Sequence, residues 1–236
     1  MTITYHTEVI QYTPEWDALK CGVLSASKIC DILTPAKLEL ADNKTSKELV
    51  NTIACQRITG YLEPTFQSYD MLRGLKEETL ARKVYSDSYA PVQECGFVTN
   101  DKWGFKLGCS PDGLVGDDGG WECKSKLQKL QFAIIRAGKM PDEFRLQLQA
   151  TMMITERPWW DFSSYSGGLN MFTIRIAPDP AVHRAIENAA FDFEAKVQAA
   201  MQEYGNRIAD GNLRIIPVPE TPDDDDIISS SEEVEV

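Results

Sequence analysis

The chain has 236 residues, 43% of them hydrophobic, enough to bury the core of one large domain, with no apolar run near the roughly 20 residues of a membrane span. Its net charge of −12 is unevenly spread: Glu220, Asp223, Asp224, Asp225, Asp226, Glu232, Glu233 and Glu235 lie in residues 217–236 without a Lys or Arg, leaving residues 1–216 at only −4 once those eight charges are set aside. Overall acidity therefore does not exclude a nucleic-acid partner, whereas a histidine complement of only His6 and His183 argues against a His-rich zinc site or an imidazole-based triad.

Met1 to Ile10 carries Thr, Tyr, His and Glu where a secretory leader needs an apolar core, so a soluble cytoplasmic protein is expected. Cys21, Cys30, Cys55, Cys95, Cys109 and Cys123 show no C-x-x-C spacing and read as reduced thiols. An iron–sulfur cluster on Cys55, Cys95, Cys109 and Cys123 matches no ligand spacing.

In chain order, residues 1–12 form a mixed lead-in. Thr13 and Pro14 open a helix through Trp16 that Gly22 stops. Ser25 or Ser27 caps a second helix running to about Leu33, and Pro35 to Lys44 is a polar loop. Ser46 to Thr59 has helical spacing at Leu49, Ile53, Ala54 and Ile58, and Asp70 to Tyr85 at Leu72, Leu75, Leu80 and Val84. After Pro91 the period shortens, predicting three short strands in a meander up to Val115. Asp117-Asp118-Gly119-Gly120 reads as a hairpin turn and Trp121 to Ser125 as the returning strand. Helices follow over Leu127 to Gly138 and about 141–155, then a hairpin from Trp159 to Tyr165 and Leu169 to Ile176. Pro180 to Ala209 is a long amphipathic helix. Residues 1–216 thus make one α/β domain with a mixed sheet flanked by helices, and 217–236 an acidic tail expected to be disordered.

The segment that suggests chemistry is Ser110-Pro111-Asp112-Gly113 followed by Trp121-Glu122-Cys123-Lys124. Asp112 falls at a turn after a strand, and Glu122 and Lys124, two apart on one strand, share a face. The hairpin lets Asp112 and Glu122 approach each other. Two converging carboxylates form a hard-oxygen site suited to Mg²⁺, and a neighbouring lysine stabilises charge or holds a water. Taken singly, Pro-Asp-Gly is an ordinary turn and Glu-x-Lys an ordinary solvated face.

Together these residues resemble the signature of the PD-(D/E)XK nuclease superfamily. The chain more closely resembles the phage lambda exonuclease family, or YqaJ-type viral recombinases. Four segments carry the likeness in order: Trp16 with Gly22 to Ser27; Arg73-Gly74 with Glu78; Cys109 to Leu114 with Glu122-Cys123-Lys124; and Gln147-Leu148-Gln149. They span about residues 15 to 175.

The resemblance implies a restriction-endonuclease-like core with a mixed central sheet. It implies that Asp112, Glu122 and the main-chain carbonyl of Cys123 bind catalytic metal, with Glu78 near a second ion; Glu78 also suits a pairing with Arg82 four residues on. Lys124 would meet the scissile phosphate or orient the water, and Gln149 would complete the motif. Ser27 would hold a 5′-phosphate, with Ser25 beside it; both equally suit N-capping. Lys20 stands where the family commonly has arginine, a point charge in place of a bidentate fork, with Lys28 or Arg73 available to share the role. The implied activity is a Mg²⁺-dependent 5′→3′ exonuclease (two ions, Mn²⁺ as a substitute). It would act on ends of double-stranded DNA, release 5′-mononucleotides and leave a 3′ overhang. A homotrimeric ring, a single-strand annealing protein as partner and a phage or prophage origin in a bacterial host complete what the family implies.

Alternatives are a same-superfamily site-specific endonuclease or junction resolvase, a non-catalytic DNA-end binding module, and an acidic interaction protein. The tail is read as solubilising; folding back onto the DNA channel and docking a partner's basic groove are the sharper readings.

Overall fold

The computed structural model describes residues 2–64 and 68–218. Most of the acidic tail expected from the sequence, residues 219–236, lies outside them. Strand β1 (Ile3–His6) precedes helix α1 (Pro14–Lys20), whose N-cap Thr13 accepts from the Trp16 N–H with Pro14 at the first turn. Strand β2 (Leu24–Ser25) leads through a 3₁₀ turn (Ala26–Lys28) into the short α2 (Ile29–Ile32). Helix α3 (Lys44–Thr59) starts in a reciprocal Asn43–Ser46 capping box and ends at Gly60 in the left-handed region. Helix α4 (Tyr69–Ser88) is capped by Ser68.

Strands β3 (Val92–Gln93), β4 (Phe97–Asn100), β5 (Leu107–Cys109) and β6 (Gly113–Val115) follow. They do not form one meander as the sequence suggests. The strands divide over two mixed sheets, with order β1-β4-β5-β2 in the first. The second is β3-β6-β7-β8-β9, built on β7 (Gly119–Ser125), β8 (Trp159–Tyr165) and β9 (Phe172–Ile176). Strand β7 begins at Gly119, so the expected turn residues Gly119 and Gly120 are in fact strand, and Gly116 to Asp118 make the reversal. Val115 pairing with Gly119 leaves only those three residues for the turn.

Strands β7 and β8 run parallel. Parallel neighbours need a long crossover. Helix α5 (Gln128–Ala137) and helix α6 (Arg145–Thr155), the latter entered through a 3₁₀ turn at Asp142–Phe144, supply it. Beyond its first turn helix α6 is buried all round, with Leu148, Ala150, Met152, Met153 and Ile154 all nearly inaccessible and Leu146 likewise. That is the composition of a central core helix rather than a surface one. Helix α7 (Pro180–Ala209) lays Val182, Ile186, Ala189, Phe193 and Val197 against α3 and α6. A second, smaller core of Ala81, Tyr85, Val115, Trp121 and Cys123 joins α4 to the β6–β7 hairpin. Trp160 is fully buried and Trp159 partly so, consistent with the aromatic pair serving the core. No helix among the described residues is long and apolar enough to cross a membrane.

Candidate active site

The β6–β7 ladder places the first two carboxylates. Gly113 pairs with Trp121. One step past the ladder, the same register sets Asp112 across from Glu122. Asp112 is held there: its Oδ2 accepts from the Cys123 N–H at 2.7 Å. In an extended strand the N–H and C=O of one residue point to the same edge, so the Cys123 carbonyl is directed to the Asp112 side as well. Glu122 is buried, and its Oε1 accepts from Lys124 Nζ at 2.6 Å and from Gln147 Nε2 at 2.7 Å.

Like charges crowd this corner. Burial first, then the charges of Glu122 and Glu78, push the Asp112 carboxyl well above the usual carboxylate range, against opposing pulls from Lys124 and the Cys123 N–H. Glu78, on α4, is also raised by burial, with its partner Arg82 opposing and Glu122 adding. Burial pulls Lys124 down, but Glu122 and Asp112 outweigh it and hold the ammonium charged. Cys123 is a buried thiol raised by burial and by the neighbouring carboxylates, so it stays protonated.

Among the described residues no three His, Cys, Asp or Glu side chains are grouped closely enough to hold a metal ion as they stand. The reason is visible in their partners: Glu122 is turned to Lys124 and Gln147, Asp112 to a backbone N–H, and Glu78 to Arg82. The donor chemistry nonetheless fits a hard divalent cation. Asp112 and Glu122 are oxygen donors on facing chain segments, and the excess negative charge that raises Asp112 is what such a cation relieves.

The glutamine is the main correction. Gln149, expected to complete the motif, points away from the carboxylates. Its Nε2 donates to the Ala177 carbonyl at 2.9 Å, and its Oε1 accepts from the Asp179 N–H at 2.8 Å. It fastens the start of α7. Two positions apart on a helix are about 200° apart in direction, so Gln147 and Gln149 cannot serve the same centre. Gln147 and Gln149 alternate with Leu146 and Leu148, so the sequence offered no polar face to choose between them. If Glu122 holds a metal ion, Gln147→Ala is expected to lower turnover about 10- to 100-fold, the usual cost of losing a side chain that orients such a ligand. Gln149→Ala is expected to cost about 1–3 kcal/mol of stability, through an orphaned N–H and C=O, with turnover per folded molecule little changed. Steady-state rates beside urea unfolding separate the two; the opposite pattern would return the role to Gln149.

The expected 5′-phosphate residues lie in two places. Ser25 and Ser27 contact each other at 3.1 Å between hydroxyls. Ser25 precedes the 3₁₀ turn without a side-chain capping bond, so its hydroxyl is not used as a cap there. Upstream, Gly22 has φ +71°, and a Cβ there would sit 2.6 Å from Arg57 Cγ. Arg57 donates to the Gly22 carbonyl and grips Glu194 of α7 with both guanidinium nitrogens, fixing the approach to β2. Lys20 Nζ lies 3.5 Å from the Trp16 ring centroid. Burial lowers its pKa, and the charge of Lys28 adds to that while Asp17 opposes. The Trp16 Nε1 donates to Ser110 Oγ at 3.1 Å, linking Lys20 to the Pro111-Asp112 segment. Arg73 stands instead on α4, where its Nε donates to Ser125 Oγ at 3.3 Å beside Glu77. It is at the Lys124 end of β7, so its contacts with Ser125 and Glu77 group it with that strand. His6 faces Thr99 and Glu8, and His183 sits on α7.

Sequence reasoning also missed Tyr12, taken as part of a lead-in. Its phenol is raised by burial and by the charges of Glu78, Asp112 and Glu122, with Lys124 opposing, and its neighbour Gln11 donates to the Pro111 carbonyl, next to Asp112. No periodicity or spacing marks it.

Comparison with known proteins bears on the family and the fold. The family model described as YqaJ-like viral recombinase domain matches residues 15–158. The structure is similar to that of an alkaline exonuclease (LHK-Exo) from Laribacter hongkongensis, with 31% identity and a TM-score of 0.74, covering 84% of this chain and 98% of that one. The same figures hold for LHK-Exo in complex with dAMP. A phage related exonuclease from Haemophilus somnus 129PT shares the fold at 13% identity and a TM-score of 0.54, over 80% of this chain and 99% of that one. No curated protein matches the chain.

Proposed function

The chain belongs to the YqaJ-like viral recombinase family, and from this premise we propose that it is a Mg²⁺-dependent exonuclease on linear double-stranded DNA. It would remove 5′-mononucleotides in the 5′→3′ direction and leave a 3′ overhang. The observation that carries this reading is the facing of Asp112 and Glu122 at the open end of the β6–β7 hairpin, with Lys124 on Glu122. The relative that holds dAMP adds that a deoxynucleoside monophosphate, the product class of such a reaction, binds a chain of this fold.

Asp112, Glu122 and the Cys123 carbonyl would hold the metal, with Glu78 close by. When bound, the ion supplies Lewis acidity toward the phosphate and a lowered pKa for an attacking water. The chain's own part is preorganisation. The Cys123 N–H fixes the Asp112 carboxylate, and Gln147 fixes Glu122 from the opposite element. Lys124 presents a permanently charged ammonium beside the centre, placed to stabilise negative charge developing on the phosphate oxygens. The serine pair and Lys20 supply hydroxyl donors and a cation for a terminal phosphate. A homotrimer and an annealing-protein partner belong to the same proposal.

Digestion of 5′-phosphorylated linear duplex beside covalently closed circular DNA, with and without Mg²⁺, tests it. Loss of only the linear DNA, only with metal, is expected. Cutting of the closed circle would replace the reading with an endonuclease, and binding without cutting would replace it with an end-binding module.

A further inference from the structure

The loop before α1 is fastened to the Pro-Asp segment. Gln11 Nε2 donates to the Pro111 carbonyl at 2.9 Å and to the Cys95 carbonyl at 3.3 Å. The next residue, Tyr12, has φ +66°, a left-handed conformation that a side chain with a Cβ adopts only when its surroundings impose it. Immediately after, Thr13 caps α1, and the Trp16 indole is locked by donation to the Gly96 carbonyl and to Ser110 Oγ. The Tyr12 ring lies 5.0 Å from the Trp16 ring, tilted by 43°. Trp16 is buried, whereas Tyr12 is 53% exposed. The loop thus holds Tyr12 in a strained conformation that leaves it about half exposed, tilted against a second ring, in the segment tied to the residue that precedes Asp112.

Resting on the nuclease reading above, we infer that Tyr12 is the stacking platform for the base of the nucleotide being removed. A terminal phosphodiester at the Asp112–Glu122–Lys124 centre leaves its base unstacked from one neighbour, about a sugar's length away. An aromatic face replaces that lost stacking, and it does so for every base because every base has a π-face. Tyr12 carries no cationic group to pair with a phosphate, so its ring suits the uncharged base. Gln11 ties the platform to the Pro111 carbonyl, so platform and catalytic aspartate are held in one rigid segment.

The full chain is compared as wild type, Tyr12→Phe and Tyr12→Leu. Phenylalanine keeps the ring; leucine keeps apolar bulk against Trp16 without a π-face. On linear duplex, Tyr12→Leu is expected to raise KM about tenfold with kcat within about threefold, and Tyr12→Phe to stay within about twofold of wild type. In an Asp112→Asn background, duplex carrying 2-aminopurine as its terminal base should lose fluorescence on binding protein with Tyr12 or Phe at this position and keep it with Leu. That signal reads stacking directly and is not moved by a merely structural role. Wild-type KM and wild-type quenching in Tyr12→Leu would overturn the inference and leave the nuclease reading intact. So would a Tyr12→Phe protein as impaired as Tyr12→Leu. A wild-type protein that digests no linear DNA would overturn the reading on which the inference rests.

Discussion

Asp112→Asn is expected to reduce DNA hydrolysis by about 10³-fold or more, which corresponds to roughly 4 kcal/mol of lost transition-state stabilisation. Asparagine retains the shape of the side chain, and its Oδ1 can accept from the Cys123 N–H as Asp112 Oδ2 does at 2.7 Å. The hairpin register is therefore preserved and only the charge is removed. The same substitution is expected to leave thermal stability unchanged or raised. In the folded chain the Asp112 carboxylate is desolvated and opposed by Glu122 and Glu78, so its charge is unfavourable to folding. A variant more stable and inactive is what an electrostatically strained catalytic group predicts. Activity within tenfold of wild type would remove Asp112 from the centre. Rates on linear duplex and a thermal melt of the same sample measure both halves.

The largest effect on the fold is expected at Gly120. Strand β7 pairs with β8 so that Gly119 lies across from Trp159 and Gly120 from Trp160. A Cβ on Gly120 would come within 2.3 Å of the Trp160 ring, and one on Gly119 within 1.9 Å of the Trp159 ring. The two differ in what can yield. Trp160 is fully buried in the main core, so its indole has nowhere to go. Trp159 is only partly buried, with Arg175 stacked 3.6 Å from its centroid on the open side. Gly120→Ala is therefore expected to cost about 3 kcal/mol or more, at or beyond the upper end of overpacking effects, and Gly119→Ala less despite the closer approach. Urea unfolding of both variants checks the ranking. A costlier Gly119→Ala would mean that packing around Trp159 is tighter than its exposure indicates.

These expectations rest on residues of very different visibility. The Asp112–Glu122–Lys124 set was legible because it is local. A Pro-Asp turn, a strand pair and a three-residue reversal bring those side chains together within 13 residues, and alternation along β7 alone puts Glu122 and Lys124 on one face. The helices were legible for the same reason: caps, Gly stops and apolar spacing act over a few residues. Where the chain reads as strand after Pro91, the strands are there, but their division between two sheets is not written locally. Strands β3 and β6 pair with each other across β4 and β5, which belong to the other sheet.

Long-range placements decided the rest of the site. Gln147 and Gln149 are alike in type and neighbourhood, and only the way α6 packs in the core gives one to Glu122 and the other to Asp179. The loop that carries Tyr12 reaches the Pro-Asp segment because Gln11 binds the Pro111 carbonyl, 100 residues away in the chain. Arg73 leaves the serine pair for Ser125 because α4 crosses the β6–β7 hairpin through Ala81 and Tyr85 against Trp121. The sequence by itself determined the helices, the longer strands, the family and the hairpin on which Asp112, Glu122 and Lys124 meet, since these follow from propensity, period and short turns. Which side chains from α4, α6 and the N-terminal loop converge on that hairpin was decided only by tertiary packing, because their partners lie far away in the chain: 100 residues for Gln11 and Pro111, 52 for Arg73 and Ser125, 25 for Gln147 and Glu122.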